Sequence, residues 1–195
     1  MTLFAARLLS ILAYPYLLVV SGSFLVLFKR TNDLWTSFIW TLTVIGFTAI
    51  VLIFELVGMR MGMFSNFDIS KRTQRTPFYL FVLLILSAFI ITAFAFHAPI
   101  WILEGSMGGF IGISIMVLVN RKVKASIHLA SLSSLLLTAA FLYGSIFYFA
   151  LLLIPLVAWS RVKMKRHTVS ETIYGAILGF VITLSAYAVI QYLHL

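Results

Sequence analysis

Long apolar runs, separated by short polar knots, set the rhythm of the chain. About 20 apolar residues are needed for a helix to cross a hydrocarbon core of roughly 30 Å. By that measure the first run covers about Phe4 to Phe28, with Pro15 inside it between Tyr14 and Tyr16. A kink is tolerated there because neighbouring helices satisfy the freed carbonyl. Lys29 to Asp33 makes a short polar turn, and the second run covers about Leu34 to Met59. Gly58 to Thr76 is the longest polar stretch and leads to Pro77, a residue suited to the first turn of a helix. The third run covers Phe78 to Phe96 and ends in the turn His97-Ala98-Pro99. The fourth covers about Ile100 to Val119, where Gly105, Gly108, Gly109 and Gly112 predict close helix approach.

His128 to Trp159 is 32 nearly unbroken apolar residues. A single helix of that length would measure about 48 Å, too long for the bilayer core. A hairpin turning near Tyr143-Gly144-Ser145 is therefore predicted, with short spans that the basic flanks continue. A last run covers about Thr172 to Leu193. The pattern as a whole predicts an all-α, polytopic transmembrane helix bundle of six to seven spans, a single domain over residues 1–195.

Composition sharpens this reading. The chain is 63% hydrophobic with five acidic residues, and its mean hydropathy is +1.12. Such values exclude an ordinary soluble domain and fit a multi-pass protein of a cell (inner) membrane. There is no cysteine, so disulfide and thiol chemistry are excluded. The four His are scattered, and no His/Asp/Glu cluster suggests a metal. No cofactor is implied. The net charge of +9 points, in so apolar a chain, to lipid headgroups or anionic substrates and not to nucleic acid. Arg7 precedes the first run without a small-residue cleavage site, which reads as a retained span.

Charge also orients the spans. With seven of them, the N-terminus and the loops at 58–76, 120–127 and 160–171 share one side. That side carries Arg7, Arg60, Lys71, Arg72, Arg75, Arg121, Lys122, Lys124, Arg161, Lys163, Lys165 and Arg166; the other carries Lys29 and Arg30. Twelve basic residues against two predict that the three loops are cytoplasmic. Glu55 lies near the end of the second run. An intramembrane acid is a functional candidate, but a carboxylate at a helix end also reaches the headgroups, and that is the expectation for Glu55.

The densest polar knot is Ser160 to Glu171, S-R-V-K-M-K-R-H-T-V-S-E. Arg161, His167 and Glu171 are spaced by six and then four. If the next helix begins near His167, His167 and Glu171 share a face. A carboxylate so placed holds an imidazole in one tautomer, and Arg161 offers a fork to an anion. An oriented His beside an anion-binding Arg is the minimum for phosphoryl transfer through a phospho-histidine. Plainer roles fit the same residues. A basic loop beside an apolar run is a topogenic signal, and Thr168-x-x-Glu171 is a capping box. Upstream, Asn120 to Ile127 is a second basic loop that leads into His128, with Ser126 positioned to cap the following helix.

These loops resemble the motifs of the type 2 phosphatidic acid phosphatase superfamily of membrane lipid phosphatases. Ser160-Arg161, five residues, His167, three residues, Glu171 matches the family's Ser-Arg, five residues, His, three residues, Asp, with the acid one methylene longer. Ala125-Ser126-Ile127-His128 stands where the family has Pro-Ser-Gly-His. Lys71-Arg72-Thr73-Gln74-Arg75-Thr76-Pro77 stands where it has Lys, six residues, then Arg-Pro. The likeness covers about 68–193.

The resemblance implies a metal-independent hydrolase of phosphoric monoesters or acid anhydrides that works through a His nucleophile. Its substrate would be a polyprenyl phosphate or diphosphate, or a phosphatidate-like lipid. His167 would attack phosphorus with Glu171 orienting it, and His128 would protonate the leaving oxygen. Arg161, Arg75, Arg72, Ser126 and Lys71 would hold the phosphate. The departures at Ala125, Ile127 and Glu171 leave a second reading: an inactive relative that binds lipid phosphate or acts as a membrane scaffold. Ile127 is the chief departure, because it replaces a glycine whose bare backbone can approach phosphate.

Overall fold

A computed structural model describes residues 2–192 and places eight α-helices in them. They are α1 (Leu3–Leu12), α2 (Pro15–Thr31), α3 (Leu34–Arg60), α4 (Arg72–Ala95), α5 (Ile100–Asn120), α6 (Ile127–Tyr143), α7 (Leu153–Lys163) and α8 (Val169–Tyr192). A 3-10 segment, Ser145–Leu152, leads into α7. Among the described residues five helices are long and apolar enough to cross a membrane, the 3-10 segment and α7 together forming one of them. The number rises to six with the bent pair α1–α2 counted once. The shorter α6 adds a further apolar helix of 17 residues. The fold is an all-α bundle, as expected, and its composition is that of a multi-pass membrane protein. The predicted end of the last run at Leu193 lies outside the described residues.

The break at Pro15 turns α1 by 45° from α2. Proline fits the first position of α2, where its missing N–H has no helical partner. Alone, α2 is 17 residues long, about 26 Å at the α-helical rise. The bent α1 packs beside α7, whose Ser160 hydroxyl donates to the Ala6 carbonyl at 2.6 Å. The predicted hairpin turns where expected, at Gly144, whose φ of 97° a side chain would strain.

Four expectations are corrected. Helix α4 starts at Arg72, so Pro77 lies inside it and not in its first turn; the ring costs one backbone bond in a stretch that Arg72 and Arg75 tie to the carbonyls of Lys122 and Ala125 in the loop before α6. The basic flank of α7 does continue the helix to Lys163, but Arg121 to Lys124 stay outside α6, which begins at Ile127. Glu55 does not reach the headgroups. It is 2% exposed on the inner face of α3 and accepts a 2.7 Å hydrogen bond from Tyr16.

The glycines of α5 supply little of the close packing. Methyl groups added at Gly105 and Gly108 would meet nothing within 4 Å, and only Gly112 is crowded, by Ile182. The tight approach is between α6 and α8. A Cβ on Gly175 would lie 2.3 Å from the Ser126 carbonyl oxygen, and one on Gly179 would lie 2.2 Å from that of Ala130. The two glycines are four residues apart on α8, so they share a face and let the backbones touch. This contact seats α8 against the start of α6, where two of the candidate motifs meet. The bare α5 positions instead border a cavity of about 560 Å³ between the helices.

Candidate functional site

The loops before α4, before α6 and before α8 converge at one end of the bundle, and backbone groups join them. The Ser126 amide donates to the Glu171 carbonyl at 3.0 Å. Arg75 donates through Nη1 to the Ala125 carbonyl (2.9 Å) and through Nε to that of Ile69 (3.0 Å). Lys124 donates through Nζ to the Arg166 carbonyl at 2.8 Å.

His167 sits two residues before α8, buried at 6% exposure. Its Nδ1 lies 3.0 Å from Glu171 Oε2. The same oxygen accepts from the Thr168 amide at 3.1 Å, and the Thr168 hydroxyl accepts from the Glu171 amide at 3.3 Å. The capping box and the oriented imidazole therefore coexist in one carboxylate, and the two readings of Thr168-x-x-Glu171 do not compete. With Nδ1–H donated to Glu171, the lone pair of Nε2 faces inward, 3.4 Å from Arg75 Nη2.

Burial first, then the charges of Arg75, Arg161 and Lys124, push the His167 imidazole from its ordinary 6.5 down to about 2. Glu171 alone would favour the cation; the buried setting and three cations outweigh it. The ring is held neutral, the form in which a His can attack. Lys124 is pushed down as well, by burial against the pull of Glu171. The sign for stability follows. Because its folded pKa is depressed, His167 contributes stability above about pH 6.5, and that contribution is lost as pH falls toward 2. In detergent the melting temperature is expected to drop between about pH 6.5 and pH 4. His167→Asn, which does not titrate and can still donate to Glu171, should make that limb shallower. Equal slopes in the two proteins would contradict the assignment.

Arg161, on the last turns of α7, is 1% exposed. A guanidinium so deep needs a counter-ion, and it has one in Asp68. Arg161 Nη2 is 2.6 Å from Asp68 Oδ1, and Arg161 Nη1 donates to Ser10 Oγ at 2.5 Å. Arg166 Nε pairs with Asp68 Oδ2 at 3.0 Å. His128, in the first turn of α6, is 3% exposed, and its Nε2 lies 4.0 Å from Asp68 Oδ1. Its ring and that of Tyr14 stand nearly perpendicular, at a centroid distance of 5.0 Å.

Ser126 occupies the N-cap position of α6, but its side chain makes no capping bond. The expected cap is therefore absent, although the Ser126 amide itself donates to the Glu171 carbonyl. Ser126 Oγ, His128 Nε2 and Arg161 Nε are buried and make no hydrogen bond to another described group. Ile127 is partly buried and packs against the cluster around Val51 and Phe78.

Of the eight site residues expected from the sequence, the structure brings together His167, Glu171, His128, Arg161, Arg75 and Ser126. It does not bring in Lys71 or Arg72. Lys71 is exposed at the N-cap of α4, and the exposed Arg72 donates to the Lys122 carbonyl at 2.8 Å. Only Arg75 of this basic run falls on the inward face. Sequence reasoning missed Asp68, Lys124, Arg166, Ser10 and Tyr14 as members of the cluster. One signal was available for Asp68: it is the only acid in the loop that precedes α4. No group of three or more metal-ligating side chains occurs among the described residues.

The cavity opens on this cluster through Tyr14, Asp68, Arg75 and His128 and runs along α5 to Arg30 and Trp101 at the other end of α2. Its walls between those ends are mostly apolar. The arrangement can take an anion at the loop face and an apolar chain behind it. Comparison of the chain with models of protein families, with curated proteins and with solved structures finds no match.

Proposed function

We propose that the protein is a membrane lipid phosphate or diphosphate phosphatase that works through a phospho-histidine at the cytoplasmic face. The observation that carries this reading is His167: neutral, held through Nδ1 by Glu171, with Nε2 turned toward Arg75. Phosphoryl transfer asks mainly for positioning and for charge around the equatorial oxygens. Arg75, Arg161, Lys124 and Ser126 offer donors for that charge.

In the first step His167 Nε2 forms a bond to the terminal phosphorus, and the bond from that phosphorus to the leaving oxygen breaks, which is the lipid oxygen of a monoester or the bridging oxygen of a diphosphate. The electron pair of that bond leaves with the oxygen, which takes a proton that His128 acquires as the phosphate dianion enters beside it. In the second step water attacks the phospho-histidine and gives its proton to His128. The bond from phosphorus to Nε2 then breaks, and inorganic phosphate is released. The tail of the substrate would lie in the cavity along α5, which suits a polyprenyl or phosphatidate-like lipid.

The test is phosphate release in detergent with EDTA from farnesyl diphosphate, undecaprenyl diphosphate and phosphatidate. Release from at least one is expected. No release from any, by a well-folded protein, would leave the second reading, a lipid-phosphate-binding or scaffold protein without turnover. That reading is favoured by one observation: the Asp68 carboxylate already pairs with two of the site's guanidinium groups.

Glu171→Gln separates orientation from capping. Gln serves the capping box as well as Glu does, so the fold should persist. Loss of the negative charge beside His167 should slow release by about a hundredfold or more. Unchanged release would reduce Glu171 to its cap.

A further inference from the structure

The proposed chemistry leaves Asp68 without a task, although it sits among the groups that would hold phosphate. Its two oxygens pair with Arg161 and Arg166, and one of them lies 4.0 Å from His128. The loop that carries it is built to hold it there. Asn66 Oδ1 accepts from the amides of Asp68 (3.2 Å) and Ser70 (3.3 Å) and from the Ser70 hydroxyl (3.0 Å). Ile69, next to Asp68, takes a φ of 42°, costly for a β-branched residue. Arg75 ties the same turn down through the Ile69 carbonyl. A strained turn held by three side chains delivers one carboxylate to a basic pocket.

A basic pocket facing lipid has a particular difficulty. The headgroups around it are mostly phosphodiesters, each with one negative charge and two terminal oxygens. Four bare cations at the loop face would be filled by them. A phosphate monoester carries about −1.5 to −2 charges at neutral pH and three terminal oxygens. A resident carboxylate of charge −1 is a near match for the first ligand and a weaker rival to the second.

We propose that Asp68 is the resident anion of the site and sets its selectivity: a phosphate monoester or terminal diphosphate displaces the carboxylate from Arg161 and Arg166, and a phosphodiester does not. The inference rests on the reading that this cluster binds phosphate. It adds a residue that excludes the bulk lipid of the membrane. Displacement would also loosen the 61–71 loop, because Arg75 holds that loop with the guanidinium that faces His167.

The test uses the full chain in detergent, with inorganic phosphate and dimethyl phosphate as the probes. Titration of wild type should show phosphate binding about tenfold or more tighter than the diester. In Asp68→Asn the gap should shrink to about twofold, chiefly because the diester binds more tightly. The same ratio in both proteins would overturn the role of Asp68 and leave the phosphate site intact. Wild type that binds neither anion and releases phosphate from no lipid would instead remove the reading on which the inference rests.

Asp68→Asn strips a buried guanidinium of its counter-ion, so a second measurement uses wild type alone. Saturating phosphate should speed amide exchange in residues 61–71, and dimethyl phosphate at the same concentration should not. Phosphate binding with unchanged exchange in that loop would overturn the proposal without any variant.

Discussion

Replacing His167 with alanine should abolish phosphate release, by on the order of a thousandfold or more, while the protein stays folded. The size of the effect follows from the proposed role. Loss of a nucleophile removes the covalent route entirely, and what survives is only the positioning of water by the remaining donors. Folding should be spared for three reasons. His167 lies in a loop, two residues before α8. Its loss leaves the Glu171 cap on the Thr168 amide intact. It also removes a ring whose protonation is opposed at low pH. His128→Ala should be milder with a diphosphate, because the lipid monophosphate that leaves needs little help from an acid. With a monoester the loss should approach about a hundredfold. A His167→Ala protein that keeps more than a tenth of wild-type release would contradict the nucleophile assignment.

The second large effect belongs to α8. Gly175→Leu should destabilise the protein by about 3 kcal/mol or more and should also cost activity. A Cβ there would stand 2.3 Å from the Ser126 carbonyl oxygen and 3.1 Å from the Ser126 nitrogen. Those are backbone atoms, so no side chain can swing aside to make room. The helix must back away, and in doing so it stretches the bond from the Ser126 amide to the Glu171 carbonyl, which joins two motif segments. A comparison isolates the cause. At Gly105 on α5 an added Cβ meets nothing within 4 Å, and Gly105→Leu should melt close to wild type. Filling the cavity there should instead slow the turnover of long-tailed substrates relative to short ones. Melting curves in detergent and release assays with two tail lengths check both. Equal destabilisation by the two substitutions would contradict the packing account.

What could be read in the sequence was local. The break at Pro15 and the turn at Gly144 each depend on one residue with restricted or unusual backbone freedom. The His167–Glu171 pair depends on a spacing of four, and the order of the loops depends on counting spans. Each of these needs only a short window of sequence. What could not be read was set by the rotational phase of helices and by partners far along the chain. Asp68 meets Arg161 across 93 positions, and Ser10 meets it across 151.

Glu55 looked like a helix-end acid because it lies near the end of the second apolar run. Its face is decided by where Tyr16 lies, on a different helix. The glycines show the same limit from the other side. The four glycines of α5 drew the expectation of close packing, yet the contact belongs to the pair on α8, whose added Cβ atoms would meet backbone atoms of the Ser126–Ala130 segment. Lys71 and Arg72 carry the right charge for the site. Helix α4 begins at Arg72 and presents only Arg75 inward, a fact that composition does not hold.

The proposed mechanism requires this cluster to carry a phosphoryl group on His167. The most direct measurement is to mix the protein with a lipid diphosphate labelled in its terminal phosphorus, quench rapidly in alkali, where phospho-histidine survives, and map the labelled peptide. The account predicts one phosphoryl group on the peptide that contains His167, absent from His167→Ala and accumulating in His128→Ala, where the second step lacks its base. Label on another residue, or rapid phosphate release with no labelled protein at any quench time, would contradict it.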